Sequence, residues 1–273
     1  MKKGTLASNL LGAVAGVLIL AVPALNSRAQ SPAPDTSAAN KPVVVELFTA
    51  EGCSDCPPAE ALLQRMEQQP LRGVEIIPLE EHVDYWNQYG WIDPYSSGEW
   101  TARQQEYVAK AKGNTPYTPE MVVEGDAQFV GSNGRAAQQA IEKAVSEPQT
   151  QITIGAGQTE SKNEESFAVT VGKLIGSDAG DAAQVWLAVT EDGLHSAVTA
   201  GENAGHTLSH AAVLRSLHKI GVASAAGDSN SFAGNEKVKL NSSWKRENLR
   251  VVVFVQDKKS LKILGAASAK VTG

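Results

Sequence analysis

Residues 43–48 form a run of β-branched and aromatic side chains with little alternation, broken only by Glu46. Such a run predicts a strand covered on both faces. The period then changes: Ala59, Leu62, Leu63 and Met66 fall at i, i+3, i+4 and i+7, which is one face of a helix. Residues 74–79 are apolar again and read as a second strand. Strand, helix and strand in quick succession make a βαβ unit, whose strands are expected to be parallel and joined by a right-handed crossover.

Further along, Ser96 with Glu99 has the spacing of a capping box and predicts a helix that ends near Lys112, with Gly113 at the C′ position. Residues 121–124 and 127–130 flank a Gly125-Asp126 turn and read as a β-hairpin. Ser132 or Asn133 caps a last helix running through Ala140, Ile141 and Ala144 to about Ser146. The order βαβαββα over residues 43–146 predicts a compact α/β domain, bounded at 42–147, with helices on both faces of a mixed sheet.

From Gln149 onward the pattern is one of short alternating strands, at 151–156, 167–173, 184–190, 237–240 and 249–256, punctuated by Gly, Ser, Asn and Asp. One helix is expected at 209–220. Residues 148–273 therefore read as a smaller, mostly antiparallel β-rich (α+β) domain.

The first residues change the picture by pointing to a compartment. Lys2 and Lys3 precede an apolar run over 10–25, followed by Ser27-Arg28-Ala29, a small-x-small cleavage site. This predicts a cleaved signal peptide over residues 1–29 and a periplasmic or secreted protein that is soluble after cleavage. The run is broken by Gly12, Gly16 and Pro23 and is shorter than the roughly 20 apolar residues a span requires. Residues 30–41, rich in Pro, Ala and Ser, read as a disordered leader. The signal holds three basic and no acidic residues, so its removal moves the formal charge from −6 to −9. An acidic chain without a basic stripe is not expected to bind nucleic acid.

The chain has two cysteines, Cys53 and Cys56, in the order strand, Cys-x-x-Cys, helix. Thiol–disulfide exchange needs a stabilised thiolate and a second thiol to resolve the mixed disulfide, and a helix start supplies the first condition. Pro57 and Pro58 cannot donate hydrogen bonds, so Asp55 is not expected to cap the helix conventionally. The N–H groups of Ser54, Asp55 and Cys56 are expected to face the Cys53 sulfur. Cys53 is thus assigned as nucleophile and Cys56 as resolving thiol. Glu51 and Asp55 flank the nucleophile with negative charge, which opposes thiolate formation and predicts a reducing pair.

Several other residues carry paired readings. Glu46, inside an apolar strand, is either a proton acceptor for Cys56 or a salt-bridged carboxylate. His82 follows the second strand on the edge where open α/β sheets place ligands, and is either an acid–base group, a metal ligand or a loop hydrogen-bonder. The stretch 85–117 holds all five tyrosines and three of the five tryptophans, either as packing or as an aromatic wall beside the cysteines. His206 and His210 stand at i, i+4 and read as a solvated helix face. Two cysteines are half of a closed metal site.

The strand to Cys-x-x-Cys to helix order, with Thr118-Pro119 leading into the hairpin, resembles thioredoxin-fold proteins. That resemblance implies that Pro119 is a cis-proline facing the disulfide and that Thr118 offers backbone hydrogen bonds to a partner chain. Their buried acid stands six residues before the nucleophile, whereas Glu46 stands seven before. More specifically, Glu46-Leu47-Phe48-Thr49, Gly52-Cys53-Ser54-Asp55-Cys56-Pro57-Pro58-Ala59, His82-Val83-Asp84-Tyr85-Trp86, Tyr117-Thr118-Pro119-Glu120 and Gly201-Glu202-Asn203-Ala204-Gly205 resemble the secreted bacterial family catalogued as domain of unknown function 1223, over about residues 42–267. The resemblance implies a thioredoxin-like fold and export, and supplies no substrate. Because the 201–205 loop belongs to this pattern, it is expected to pack against the cysteine edge.

Together these readings predict an exported thioredoxin-like thiol–disulfide oxidoreductase. Cys53 and Cys56 exchange, Pro119 and Thr118 position an unknown protein thiol or disulfide partner, and Glu46 or His82 moves protons. No cofactor is required. The alternatives are a copper-type metal-binding module built from the cysteines and His82, and a non-catalytic protein with a structural disulfide.

Overall fold

The computed structural model describes residues 40–112, 115–176, 182–224 and 230–271, with Met1 and Gly4. The expected signal and leader, apart from Met1, Gly4, Asn40 and Lys41, and the expected Gly113 cap lie outside the described residues.

The predicted βαβ unit is present. The apolar run forms β1 (Lys41–Thr49), followed by α1 (Pro57–Gln68) and β2 (Val74–His82). β1 and β2 are parallel, with Val45 opposite Pro78 and Thr49 opposite His82. α2 (Gly98–Lys110) is capped by Ser97, whose hydroxyl accepts from the Glu99 N–H. The cap is thus one residue later than expected, because Ser96 instead donates to the Asp93 carbonyl. The hairpin is β3 (Glu120–Val123) and β4 (Ala127–Val130), and Asn133 caps α3 (Gly134–Ser146) through the Ala136 N–H.

The remainder is strand. In chain order it comprises β5 (Ile152–Ile154), β6 (Gln158–Ser161), β7 (Glu164–Gly172), β8 (Ala183–Glu191), β9 (Leu194–Ala197), β10 (Thr207–His210), β11 (Val213–Ala223), β12 (Asn230–Lys239), β13 (Leu249–Asp257) and β14 (Ile263–Lys270). The helix expected at 209–220 is not found; β10 and β11 occupy that stretch. β11 carries two register shifts against β8, one between Leu214 and Ser216. A bulge adds a residue to one strand. Leu214 and Leu217 therefore share a face at a spacing of three, which imitates a helical period.

These strands overturn the expected fold class. A thioredoxin-like α/β domain followed by a smaller β-rich domain was expected. Instead strand far outweighs helix among the described residues, which hold three α-helices, and one eight-stranded mixed sheet runs β14-β13-β8-β11-β2-β1-β3-β4. The join lies at the β2 edge, where Val213 of β11 pairs parallel with Glu80 and the Glu80 N–H donates to the Ala212 carbonyl at 2.9 Å. The physical reason is that β2 ends on an open edge that long-range pairing can fill, and periodicity within a segment carries no information about its partner. A second sheet, β12-β7-β5 with β6 also on β7, packs Phe167, Val169 and Val171 against Val185, Leu187, Val251 and Val253.

Alternation along β1 sends its side chains to two cores. Val43, Val45 and Leu47 meet Leu63 of α1 and Ile141 of α3. Val44 faces the other way, toward Ile77, Leu79 and Trp100 and toward Leu214, Val252 and Phe254 from the later strands. Each such fully buried side chain contributes about 1.5–3 kcal/mol. The same alternation assigns the charged residues near the strand ends. Thr49, Glu80 and His82 lie on the α1 side, while Glu46 and Glu81 lie on the α2 side, where Arg103 meets them.

Candidate functional site

Cys53 and Cys56 are joined in a disulfide at the start of α1. Cys56 is the N-cap residue, no side chain caps the helix, and prolines occupy its first two positions. The pair belongs to a small apolar cluster with Phe48, Ala50, Val83, Tyr107 and Val122. Cys53 is 1% and Cys56 0% exposed, so the disulfide is covered.

The cover comes from distant sequence. The Asn203 side-chain amide donates to the carbonyls of Glu51 and Cys53, each at 2.9 Å. The Glu202 carboxylate accepts from the Ser54 N–H at 3.0 Å and from its hydroxyl at 2.7 Å. The 201–205 loop therefore lies against the cysteine turn, as the sequence led one to expect. Two of the N–H groups expected to face the Cys53 sulfur are committed elsewhere in the oxidised state: that of Ser54 to Glu202, and that of Cys56 to the Cys53 carbonyl at 3.2 Å.

Part of the aromatic stretch packs and part lines this edge. Trp100 and Tyr107 are buried in the cores. Trp86 lies over Gly52 and donates from Nε1 to Thr118 Oγ1 at 2.7 Å. Trp91 donates to Glu51 Oε2 at 2.7 Å, while Tyr89, Ile92 and Tyr117 are exposed. The Thr118–Pro119 peptide bond is cis. Pro119 and Ala59 both flank Gly131, which places the proline beside the first turn of α1.

Two ionic networks are buried beneath, one on each face of the sheet. On the α2 side, Glu46 accepts from Arg103 Nε at 2.5 Å and from the Tyr107 hydroxyl at 2.6 Å. Glu46 is thus a salt-bridged carboxylate. Glu81 stands 3.7 Å from the same guanidinium, and neither of its oxygens has a hydrogen-bond partner among the described residues. Burial, and then the Glu46 charge, push its pKa well above the usual carboxylate range, and Arg103 offsets only part of this.

On the α1 side, Glu80 Oε1 lies 3.0 Å from His82 Nε2 and 2.7 Å from His210 Nδ1. His82 Nδ1 faces Asp93 Oδ2 at 2.7 Å, and His210 Nε2 faces Glu51 Oε1 at 3.1 Å. Burial alone would lower both imidazoles. The Asp93 carboxylate nevertheless holds His82 well above its ordinary value, and hydrogen bonds to Glu51 and Glu80 bring His210 up to about 9. Glu60 of α1, held by the Thr49 hydroxyl at 2.6 Å, is raised to about 7 by burial and the Glu80 charge.

His82 thus lies inside a network rather than on a surface loop. His210, expected on a solvated helix face, is 2% exposed at the network's centre. His206, four residues earlier, is exposed. Glu80, Glu60, Arg103 and the inward aim of Glu51 were not singled out from sequence, and Asp93 was marked only as part of the family pattern. The one local signal for His210 was alternation, since Leu208 and His210 are buried on either side of exposed Ser209.

A family model described as protein of unknown function (DUF1223) matches residues 44–256. The chain belongs to the DUF1223 family. No curated protein matches it in sequence. Among solved structures it is similar to protein AGR_C_4864 from Agrobacterium tumefaciens, with 23% identity and a TM-score of 0.63, covering 86% of this chain and 96% of that one. It is also similar to HBP35 of Porphyromonas gingivalis, with 14% identity and a TM-score of 0.64, covering 85% and 76%. Both likenesses are of fold. In this DUF1223 protein the matched span contains the disulfide, the 201–205 loop and every member of the two buried networks.

Proposed function

We propose that this DUF1223 protein is an exported thiol–disulfide oxidoreductase whose exchanging pair is Cys53–Cys56. The observation that carries the reading is the placement of the disulfide: it bridges a sequence separation of only three, at a helix start with no side-chain cap. As a staple such a link is inefficient. Chain-entropy arguments give a loop this short about 2 kcal/mol, against about 4.7 for a 100-residue loop. As a redox pair the placement is favourable, because the helix N-terminus stabilises a thiolate there. Export is supported by Lys2, Lys3, the apolar run after them and the small-x-small site at 27–29. Among the described residues no helix is long and apolar enough to cross a membrane.

In this reading the reduced protein acts as follows. The Cys53 thiolate attacks one sulfur of a partner disulfide and expels the other as a thiolate. The Cys56 thiolate then attacks the Cys53 sulfur of the mixed disulfide, which releases the second partner thiolate and closes the Cys53–Cys56 bond. Two electrons pass to the partner, and its thiolates take up the two protons the cysteines give up. The 201–205 loop must first release the turn, since both sulfurs are covered. Thr118 and Pro119 position the partner chain. Glu46 and His82, each held on both sides by buried groups, keep the sheet end in place rather than carrying protons.

The test is to trap the intermediate. The reduced Cys56→Ser variant, treated with oxidised glutathione, should accumulate one glutathione at Cys53. Equal labelling of Cys56 in the Cys53→Ser variant, or no labelling of either, would contradict the assignment.

A further inference from the structure

The geometry points to a buried site for one divalent first-row transition-metal ion, formed by Glu80, His82 and His210 with Glu60 as a fourth donor. It is independent of the disulfide and uses neither cysteine. His82 Nε2 and His210 Nδ1 both turn toward Glu80 Oε1, and the three donor atoms lie within 4.8 Å of one another. Glu60 Oε2 stands 3.7 Å from His210 Nδ1, which makes a set of two nitrogens and two oxygens.

What distinguishes this set from a chance meeting of acids and histidines is the outer ring of partners. Each imidazole has its second nitrogen on a carboxylate from another segment, His82 on Asp93 and His210 on Glu51. That is the carboxylate–histidine–metal arrangement, in which the outer carboxylate fixes which ring nitrogen faces the ion. The two rings meet edge-on with centroids 4.8 Å apart, and Tyr95 closes over both at 5.4 and 5.5 Å. Arg215 lies over the Tyr95 ring, 5.5 Å from its centroid. Three elements, α1, β2 and β10, supply the four buried donors, and the segment carrying Asp93 and Tyr95 backs them from outside.

The donor chemistry selects the ion class. Imidazole with carboxylate suits zinc and its first-row neighbours; magnesium and calcium take oxygen alone, and copper(I) wants sulfur. Tetrahedral zinc, with bonds of about 2.0–2.2 Å to nitrogen and oxygen, spaces its donor atoms by roughly 3.3–3.5 Å. The Glu80 oxygen now stands 2.7 and 3.0 Å from the two nitrogens, with all three donors within 4.8 Å of one another, so the ion enters as the oxygen backs away and the side chains adjust around it.

The experiment uses the full chain, produced in medium supplemented with Zn²⁺ or with Co²⁺ in its place, and reads metal content after gel filtration. One ion per chain is expected, with visible ligand-field bands for cobalt. The content should persist in the Cys53→Ser/Cys56→Ser variant and be lost in His210→Gln. Should His210→Gln fail to fold, Asp93→Asn and Glu51→Gln alter only outer partners and should weaken affinity about 10- to 100-fold in a chelator competition. Folded wild-type chain without either metal would overturn the site and leave a metal-free ion-pair network. Metal that vanishes with the cysteines and survives loss of His210 would overturn it too, and would instead favour a thiolate site.

Discussion

The side-chain amide of Asn203 reaches across 150 residues of sequence to the Cys53 carbonyl at 2.9 Å, and binds the Glu51 carbonyl at the same distance. The turn that carries the disulfide is therefore held by a residue outside the βαβ unit that builds it. Because both sulfurs are covered, opening this contact should control the rate at which the disulfide can be reached.

Asn203→Ala removes both hydrogen bonds, each worth about 1 kcal/mol net. Reduction of the disulfide by dithiothreitol should then speed up roughly 5- to 30-fold. Stopped-flow measurement of Trp fluorescence or timed alkylation reads this directly. An unchanged rate would mean that the loop does not gate access.

Asp55 is the exposed acid next to the pair, whereas Glu51 turns inward to His210. The charge opposing a Cys53 thiolate therefore comes from Asp55 rather than from both acids. Asp55→Ser should stabilise the reduced form and make the pair more oxidising by roughly 10–20 mV, the equivalent of a surface charge interaction below about 1 kcal/mol. A potential that stays put or becomes more negative would contradict this.

Arg103 is the cation that meets Glu46 and Glu81 on the α2 side of the sheet. Removing one partner of a buried pair leaves an uncompensated charge, so Arg103→Met should cost about 3–5 kcal/mol in denaturant unfolding. The double variant with Glu46→Gln should recover part of that loss. A cost below about 1 kcal/mol for the single variant would show that water reaches the network.

Glu124 provides a test by pH. Burial, and then the nearby Glu46 and Glu147 charges, raise its pKa to about 8, although the Val44 N–H and Lys262 act the other way. The folded state thus keeps the proton to higher pH than the unfolded state does, so stability is fully present below the unfolded value near 4.5 and is lost as pH rises toward 8. Glu124→Gln, which retains an oxygen for Val44, should flatten this decline and stabilise the protein at pH 8 by on the order of 1–4 kcal/mol. An identical pH profile for both proteins would refute it.

The sequence showed the parts that depend on near neighbours. The apolar run of β1, the i, i+3, i+4 face of α1 and the proline pair that leaves the helix uncapped could all be read within a dozen residues. The 201–205 loop was placed through its family pattern, and its contact with Ser54 and Cys53 agrees. What failed is what depends on distant partners. Nothing within residues 213–223 announces that Val213 will pair with Glu80, and the bulge near Arg215 gave the strand a helical spacing. His210 was misplaced with it, so the network joining it to Glu51, Glu80 and His82 could not be assembled from sequence. Glu46 could be read either way, because a buried carboxylate is defined by its partner, and Arg103 lies 57 residues further on.

Cys53–Cys56, in the mechanism proposed above, exchanges rather than staples. The most direct measurement is its reduction potential, by equilibration in graded thiol buffers followed by alkylation and mass analysis. A value between roughly −120 and −270 mV is expected, within the range of exchange catalysts; a pair that remains oxidised below about −300 mV would be a structural disulfide and would contradict the account.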